Sequence, residues 1–199
     1  MKILRNLVAV FFMAPALLMA HPAEDLIYQI TSDVMAALEN PKAKTDSKFV
    51  RDVLDKDVLP HIDFTTMTKI TLGASAWKQA TKEQHTQLVA EFRDLLINTY
   101  TAALDQYSGQ QLEILPHKAA KNDDKIAQVN TIFTDASVKF PVDYKLRTSR
   151  SNKKVWQVYD IEVEGVSLVK SYKAEFNSEI SKSGVDGLIK TLRSKNEGG

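Results

Sequence analysis

The sequence predicts an α+β domain, a mostly antiparallel four-stranded sheet covered by helices. Three observations carry this. Apolar residues recur at helical spacing through the first half of the chain and again at its end. Between Gln111 and Val163 the pattern switches to the two-residue alternation of strands. Short polar turns join these strand segments, and such turns connect antiparallel neighbours. The flanking helices must then cover a face of the sheet.

The 199 residues suffice for one domain with a sizeable core. The chain opens on a short basic leader, with Lys2 and Arg5, followed by an uncharged apolar run over residues 7–20. This is the pattern of a secretory signal peptide, and it is short of the ~20 residues that a membrane span needs. Residues 1–20 are therefore expected to be removed after Ala20, leaving residues 21–199 as a single exported domain. The junction carries no Cys for a lipid anchor, and the whole chain has none. That removes cysteine catalysis, iron–sulfur clusters and Cys-based zinc sites. Net charge is +1, and without the leader 24 basic residues face 25 acidic ones. Such a balance gives no support for nucleic-acid binding.

The first helix is expected over residues 23–38, where Leu26, Ile27, Ile30, Val34, Ala37 and Leu38 share a face, and Asn40-Pro41 stops it. Asp46 or Ser47 caps a second helix with Phe49, Val50, Val53, Leu54 and Val58 as its stripe, ended by Pro60. Asp63 caps a short helix carrying Phe64, Met67 and Ile70, and Gly73 terminates it. Thr81-Lys82-Glu83-Gln84 has the spacing of a capping box. It opens a helix of roughly 25 residues, long against the usual ~8–20. Its stripe runs through Leu88, Phe92, Leu95, Leu96, Tyr100, Leu104 and Tyr107 towards Ser108-Gly109.

Four strands follow, over residues 111–117, 125–133, 138–147 and 155–163. Asn122-Asp123-Asp124 and Ser151-Asn152 mark turns. In the third strand Val138, Phe140, Val142, Tyr144 and Leu146 share a face, while Pro141 points to an edge or a bulge. In the fourth, Val155, Tyr159, Ile161 and Val163 fall on one face, and Trp156 and Val158 on the other. Apolar residues on both faces predict a central or strongly curved strand. Ser167 opens a final amphipathic helix with Leu168, Val169, Tyr172, Phe176 and Ile180. Gly184 breaks it, Leu188, Ile189 and Leu192 form a last short helix, and residues 195–199 should fray.

Catalytic patterns are scarce. There is no Gly-x-Ser-x-Gly elbow, P-loop, dinucleotide glycine motif or His-Glu-x-x-His. His61-Ile62-Asp63 is a weak metal or hydrolase signal, and His21, His61, His85 and His117 are scattered. Asp123-Asp124 sits in a turn and Glu162/Glu164 at a strand end, neither isolated enough for acid catalysis. No cofactor is expected. Arg147, Arg150, Lys153 and Lys154 cluster around a turn, either as a solvated face or against an acidic partner or lipid phosphates. Aromatic residues crowd the long helix, the last two strands and the final helix. On the residues alone a filled aromatic core is the stronger reading, and an apolar cavity between sheet and helix the other.

Five segments resemble the MlaC, or toluene-tolerance, family of periplasmic phospholipid-binding proteins. They are Pro60-His61-Ile62-Asp63-Phe64; Leu72-Gly73 with Trp77-Lys78; Glu91-Phe92-Arg93-Asp94-Leu95-Leu96 with Thr99-Tyr100; Trp156-Gln157-Val158-Tyr159-Asp160 running on to Gly165-Val166-Ser167-Leu168-Val169; and Tyr172-Lys173-Ala174-Glu175-Phe176. Lys78 and Lys173 stand where the family would have Arg, and Asn152-Lys153-Lys154 replaces a glycine turn.

The resemblance implies a twisted sheet with an apolar pocket between sheet and helices. It also implies a periplasmic carrier of diacyl phospholipid that maintains outer-membrane lipid asymmetry and has no enzymatic activity. Its partners would be an outer-membrane lipoprotein complex and an inner-membrane ABC transporter complex with its substrate-binding subunit. Under this reading Phe92, Leu96, Tyr100, Val142, Tyr144, Trp156, Val158, Tyr172 and Phe176 are the candidate lipid contacts. Two other functions stay open on the sequence: a non-lipid periplasmic binding or adaptor protein, and a periplasmic hydrolase using His61 and Asp63.

Overall fold

In a computed structural model the described residues are 21–104, 109–115, 125–135 and 138–198. The element order is α1 (Pro22–Glu39), α2 (Ser47–Val53), α3 (Phe64–Leu72), α4 (Ala74–Gln79), α5 (Lys82–Leu104), β1 (Gln111–Ile114), β2 (Ile126–Asp135), β3 (Val138–Thr148), β4 (Trp156–Val163), β5 (Val166–Ser167) and α6 (Leu168–Glu197). The five strands form one antiparallel meander in the order β1-β2-β3-β4-β5.

The sheet thus has five strands where four were expected. The extra strand is β5, two residues that pair back on β4 through Glu162↔Ser167 and Val163↔Val166. Glu164 (φ 50°) and Gly165 (φ 82°) turn the chain between them. Positive φ at both central residues is what a two-residue hairpin matching the strand twist requires. The strand is too short to show alternation, and Glu in place of Asn or Asp hid the turn.

Local chemistry sets the other boundaries. Asp46 accepts hydrogen bonds from the Lys48 and Phe49 amides at the start of α2. Asp63 accepts one from the Thr66 amide at the start of α3, and Gly73 at φ 80° ends that helix. The capping box of α5 forms as spaced: the Gln84 amide donates to Thr81 Oγ1 at 3.2 Å, and the Thr81 amide to Gln84 Oε1 at 2.9 Å. A six-residue helix, α4, follows Gly73 where none was expected. Gly184 at φ 71° kinks α6 as expected. Helix α6 nevertheless continues to Glu197 instead of fraying, because Asn196 Nδ2 donates to the Glu91 carbonyl and carboxylate at 3.0 Å. The expected turn at Asn122-Asp123-Asp124 and the helix end at Ser108 lie outside the described residues.

Two strand details differ from the sequence expectation. Pro141 lies in β3, an interior strand. Its carbonyl accepts from the Glu164 amide at 3.0 Å. N–H and C=O of one antiparallel residue point the same way, so the missing donor would face the turn beyond β4 and no ladder bond is lost. In β4 the register shifts: Leu146 pairs with Val158 but Lys145 with Asp160, leaving Tyr159 as an extra residue. This bulge puts Trp156, Val158, Ile161 and Val163 on one face, and so explains apolar residues in both phases of the alternation.

Two packed clusters hold the fold. One, between α3, α5 and α6, contains Met67, Leu72, Leu88, Phe92, Leu96, Val169, Phe176, Leu188, Ile189 and Leu192. The other joins Ala23 and Ile27 of α1 to Ala127, Val129, Leu146, Trp156 and Val158 of the sheet. In the first, Phe92 meets Phe176 and Tyr172 edge-on, with centroids 5.0 and 5.2 Å apart.

Candidate functional site

Between the two clusters the elements separate and leave a cavity of about 420 Å³, inside the ~300–1,000 Å³ typical of ligand pockets. Helix α1 supplies Ile30, Thr31, Val34, Met35 and Leu38 to its wall. The segment after α2, a π-helical turn (Leu54–Val58) and a 3-10 turn (Leu59–His61), supplies Leu54, Val58 and Leu59. Ile62, Phe64 and Met67 lead into and belong to α3, and Leu96, Ile97, Tyr100 and Thr101 come from α5. The sheet gives Phe133, Tyr144 and Ile161, and the start of α6 gives Leu168. Among the described residues no charged side chain lines it.

The walls are pinned by polar contacts placed outside the cavity. Asp160 is buried and accepts from Ser167 Oγ at 2.8 Å and from the Val169 amide at 3.3 Å. Lys145 Nζ reaches Asp160 at 3.2 Å and Glu162 at 2.6 Å. Burial pulls the Lys145 ammonium down, but its hydrogen bonds to Glu162 and Asp160 prevail and hold it above the ordinary lysine value. The hydrogen bond from Lys145 holds the Glu162 carboxyl below its ordinary value. These contacts fasten β4, just past its bulge, to the first turn of α6. On the other wall Arg93 of α5 pairs with Asp55 of the π-helical turn at 3.5 Å.

Of the nine sequence-derived contact residues, Leu96, Tyr100 and Tyr144 line the cavity. Phe92 and Phe176 are fully buried in the helical cluster, with Tyr172 packed against it. Trp156 and Val158 belong to the sheet cluster. Val142 is buried in β3 between Thr131 and Val163. Burial pushes the Tyr144 phenol well above its usual ionisation range. Burial, then Tyr172 nearby, raises Tyr100 as well.

The wall formed by α1 and the π-helical turn was not assigned to the site from the sequence. One signal was available: Met35, Leu54, Val58 and Leu59 give that stretch more apolar surface than short helices bury, and all four are half-buried. Asp63 is engaged as the cap of α3, and His61 ends the 3-10 turn before it. The Asp63 carboxylate accepts from the Thr66 amide and hydroxyl at 2.9 and 2.6 Å and lies 3.8 Å from Arg147. Among the described residues no three His, Cys, Asp or Glu side chains converge to hold a metal ion.

The chain matches the family model described as "MlaC protein" over residues 28–194. It belongs to the MlaC family. Among MlaC relatives, the intermembrane phospholipid transport system binding protein MlaC of Haemophilus influenzae is 26% identical over 181 residues, 90% of this chain and 81% of that protein. Toluene tolerance protein ttg2D of Pseudomonas putida is 26% identical over 176 residues, 87% of this chain and 79% of that protein. In three dimensions the chain is similar to the phospholipid-binding protein of Ralstonia solanacearum, whose structure was solved with a phospholipid. The TM-score is 0.78 at 31% identity, covering 88% of this chain and 97% of that one.

Proposed function

We propose that this chain holds a diacyl phospholipid by its acyl tails in the cavity, with the headgroup near solvent, and carries it between the two membranes. Membership of the MlaC family gives the coarser class in its own right: a periplasmic lipid-binding transport protein, not an enzyme. The observation that carries the finer reading is the cavity of about 420 Å³ whose described lining is aliphatic and aromatic, with no charged side chain.

The energetics suit a carrier. Each buried methylene is worth about 0.8 kcal/mol, so two tails of roughly 15 methylenes bring on the order of 20 kcal/mol of gross transfer free energy. Free lipid is then almost absent from water, and a carrier must offer an equivalent interior. It must not greatly outbid a membrane, or it would not release its cargo. Aliphatic walls without charged anchors meet both demands and predict low headgroup selectivity.

In this reading Leu96, Tyr100 and Tyr144 touch the tails. Phe92, Tyr172 and Phe176 back the α5 wall, while Val142, Trp156 and Val158 back the sheet wall. Residues 1–20 are an export signal removed after Ala20, and residues 21–199 form the carrier domain. The exchange partners would be an outer-membrane lipoprotein complex and an inner-membrane ABC transporter complex with its substrate-binding subunit.

Incubating the exported form with vesicles that contain a chain-labelled phospholipid, then floating the vesicles away, tests the reading. Label should stay with the soluble protein. Label that floats entirely with the vesicles would refute it.

A further inference from the structure

Two hydroxyls of the cavity wall have no hydrogen-bond partner. The first is Thr101 on α5, whose Oγ1 is buried and unsatisfied. Buried threonines on helices ordinarily donate back to the carbonyl four residues earlier, and this fold follows that habit elsewhere. Thr31 donates to the Ile27 carbonyl at 2.6 Å, Thr68 to Phe64 at 2.7 Å and Thr71 to Met67 at 2.9 Å. Thr31 lines the same cavity and is satisfied. Thr101 makes no such bond.

The second is Tyr144, placed on the inner face of β3 between Val129 and Ile161. The residue is half-buried, and its hydroxyl bonds to no group among the described residues, although a phenol set against an apolar wall usually finds a partner. Burial also keeps it protonated, hence a donor. The remaining cavity hydroxyl, that of Tyr100, belongs to a residue 46% exposed, which water can serve. The Thr101 hydroxyl is shut off from solvent, and Tyr144 is half-buried on the cavity wall.

A hydroxyl left unpaired in an apolar cavity costs stability and returns nothing to the folded chain. It gains a partner if the ligand brings an acceptor. Acyl tails carry none, and the phosphate remains near solvent. The ester carbonyl oxygens at the head of each tail are the acceptors that enter with the tails, and a diacyl lipid has one for each hydroxyl. We propose that Thr101 and Tyr144 are polar anchors of the cavity, donating to the ester carbonyl oxygens of the bound lipid and so selecting ester-linked over ether-linked chains. This rests on the lipid-carrier reading above and adds a chemical selectivity that aliphatic walls alone do not supply.

The test is a competition for the exported form between phosphatidylglycerol with two ester-linked chains and its dialkyl-ether analogue of equal chain length. Bound lipid is counted by native mass spectrometry. Each hydroxyl should favour the ester lipid by about three- to tenfold, the worth of one neutral hydrogen bond. Thr101→Val and Tyr144→Phe, which keep shape and remove only the donor, should each reduce the ester-over-ether preference to that extent. The double variant should bind both lipids alike, and Thr101→Ser should restore preference to the level of the wild type. Thermal unfolding of each variant checks that it folds. Equal binding of both lipids by the wild type would overturn the anchors while leaving the carrier reading intact. Binding of neither lipid would overturn both.

Discussion

The same elements build a filled half and a hollow half of this molecule. Ala23 and Ile27 of α1 pack on the sheet, whereas Ile30, Val34 and Leu38, further along the same helix, face the void. In α5, Leu88 and Phe92 are fully buried, while Tyr100 and Thr101 reach the cavity. In β3 the boundary falls between Leu146 and Tyr144, and in β4 between Val158 and Ile161. That last boundary coincides with the bulge at Tyr159, and a bulge bends its strand and increases its twist. Aromatic rings occur on both sides: Phe92, Phe176 and Trp156 in the filled half, and Phe64, Tyr100, Phe133 and Tyr144 around the void. Branched and flexible aliphatics dominate the hollow half, where the surface must accept chains of varied length. Void and core thus draw on the same side-chain types and differ in how closely the elements approach.

The sharpest way to break this contrast is truncation on each side of it. Phe176→Ala in the filled half should cost about 3–5 kcal/mol in urea unfolding, while lipid bound per folded molecule stays nearly constant. Leu54→Ala on the cavity wall should cost no more than about 1–2 kcal/mol, below the usual range for a packed leucine, because its neighbours already border empty space. Equal costs at the two sites would mean that the two halves are packed alike.

Deleting Tyr159 tests the boundary itself. Without it Trp156, Val158, Ile161 and Val163 stay on one face of a regular strand, so the fold should survive with native far-UV circular dichroism. The strand should straighten, and lipid uptake should drop by about tenfold or more, as expected when misfit walls forfeit close contact. Unchanged uptake would remove the bulge from the account.

A smaller effect is expected from filling the void. Val34→Trp should lower lipid uptake by several-fold and leave unfolding stability unchanged or slightly raised, since new apolar contacts replace empty space. A strong loss of stability would show that the site was already full.

Smallest is the acid response. The Glu162 carboxyl is held below its ordinary value of 4.5 by Lys145. A lowered carboxyl stabilises the fold above that ordinary value, and the contribution is lost as pH falls through the folded one. Glu162→Gln should therefore lower stability slightly at pH 7 and flatten the acid limb of the curve below pH 4.5, the two proteins converging once the wild-type carboxyl is protonated. The pair is partly exposed, so the effect is modest.

Much of this fold was legible because local chemistry dictated it. Asp46, Asp63, Thr81 and Ser167 each cap the helix that their spacing announced, and Gly73 and Gly184 interrupt helices where backbone freedom was needed. The strand β5 was not legible, since two residues carry no period. The faces of β4 were misassigned because a bulge is set by a register that no single strand contains. The cavity was half legible. Alternation placed Tyr144 and helical spacing placed Leu96 and Tyr100, but the α1 and π-turn wall arises where separated segments converge. A stripe of aliphatics looks the same whether it meets a partner or a void. Aromatic crowding drew attention to Phe92, Trp156 and Phe176, which the fold uses to fill space.

The central claim is that the hollow half is kept open for a lipid. Native mass spectrometry of the exported form, purified without detergent and followed by solvent extraction, tests it directly. The account predicts a discrete added mass that extraction identifies as diacyl phospholipid. A bare polypeptide mass, with no uptake from labelled vesicles, would contradict it.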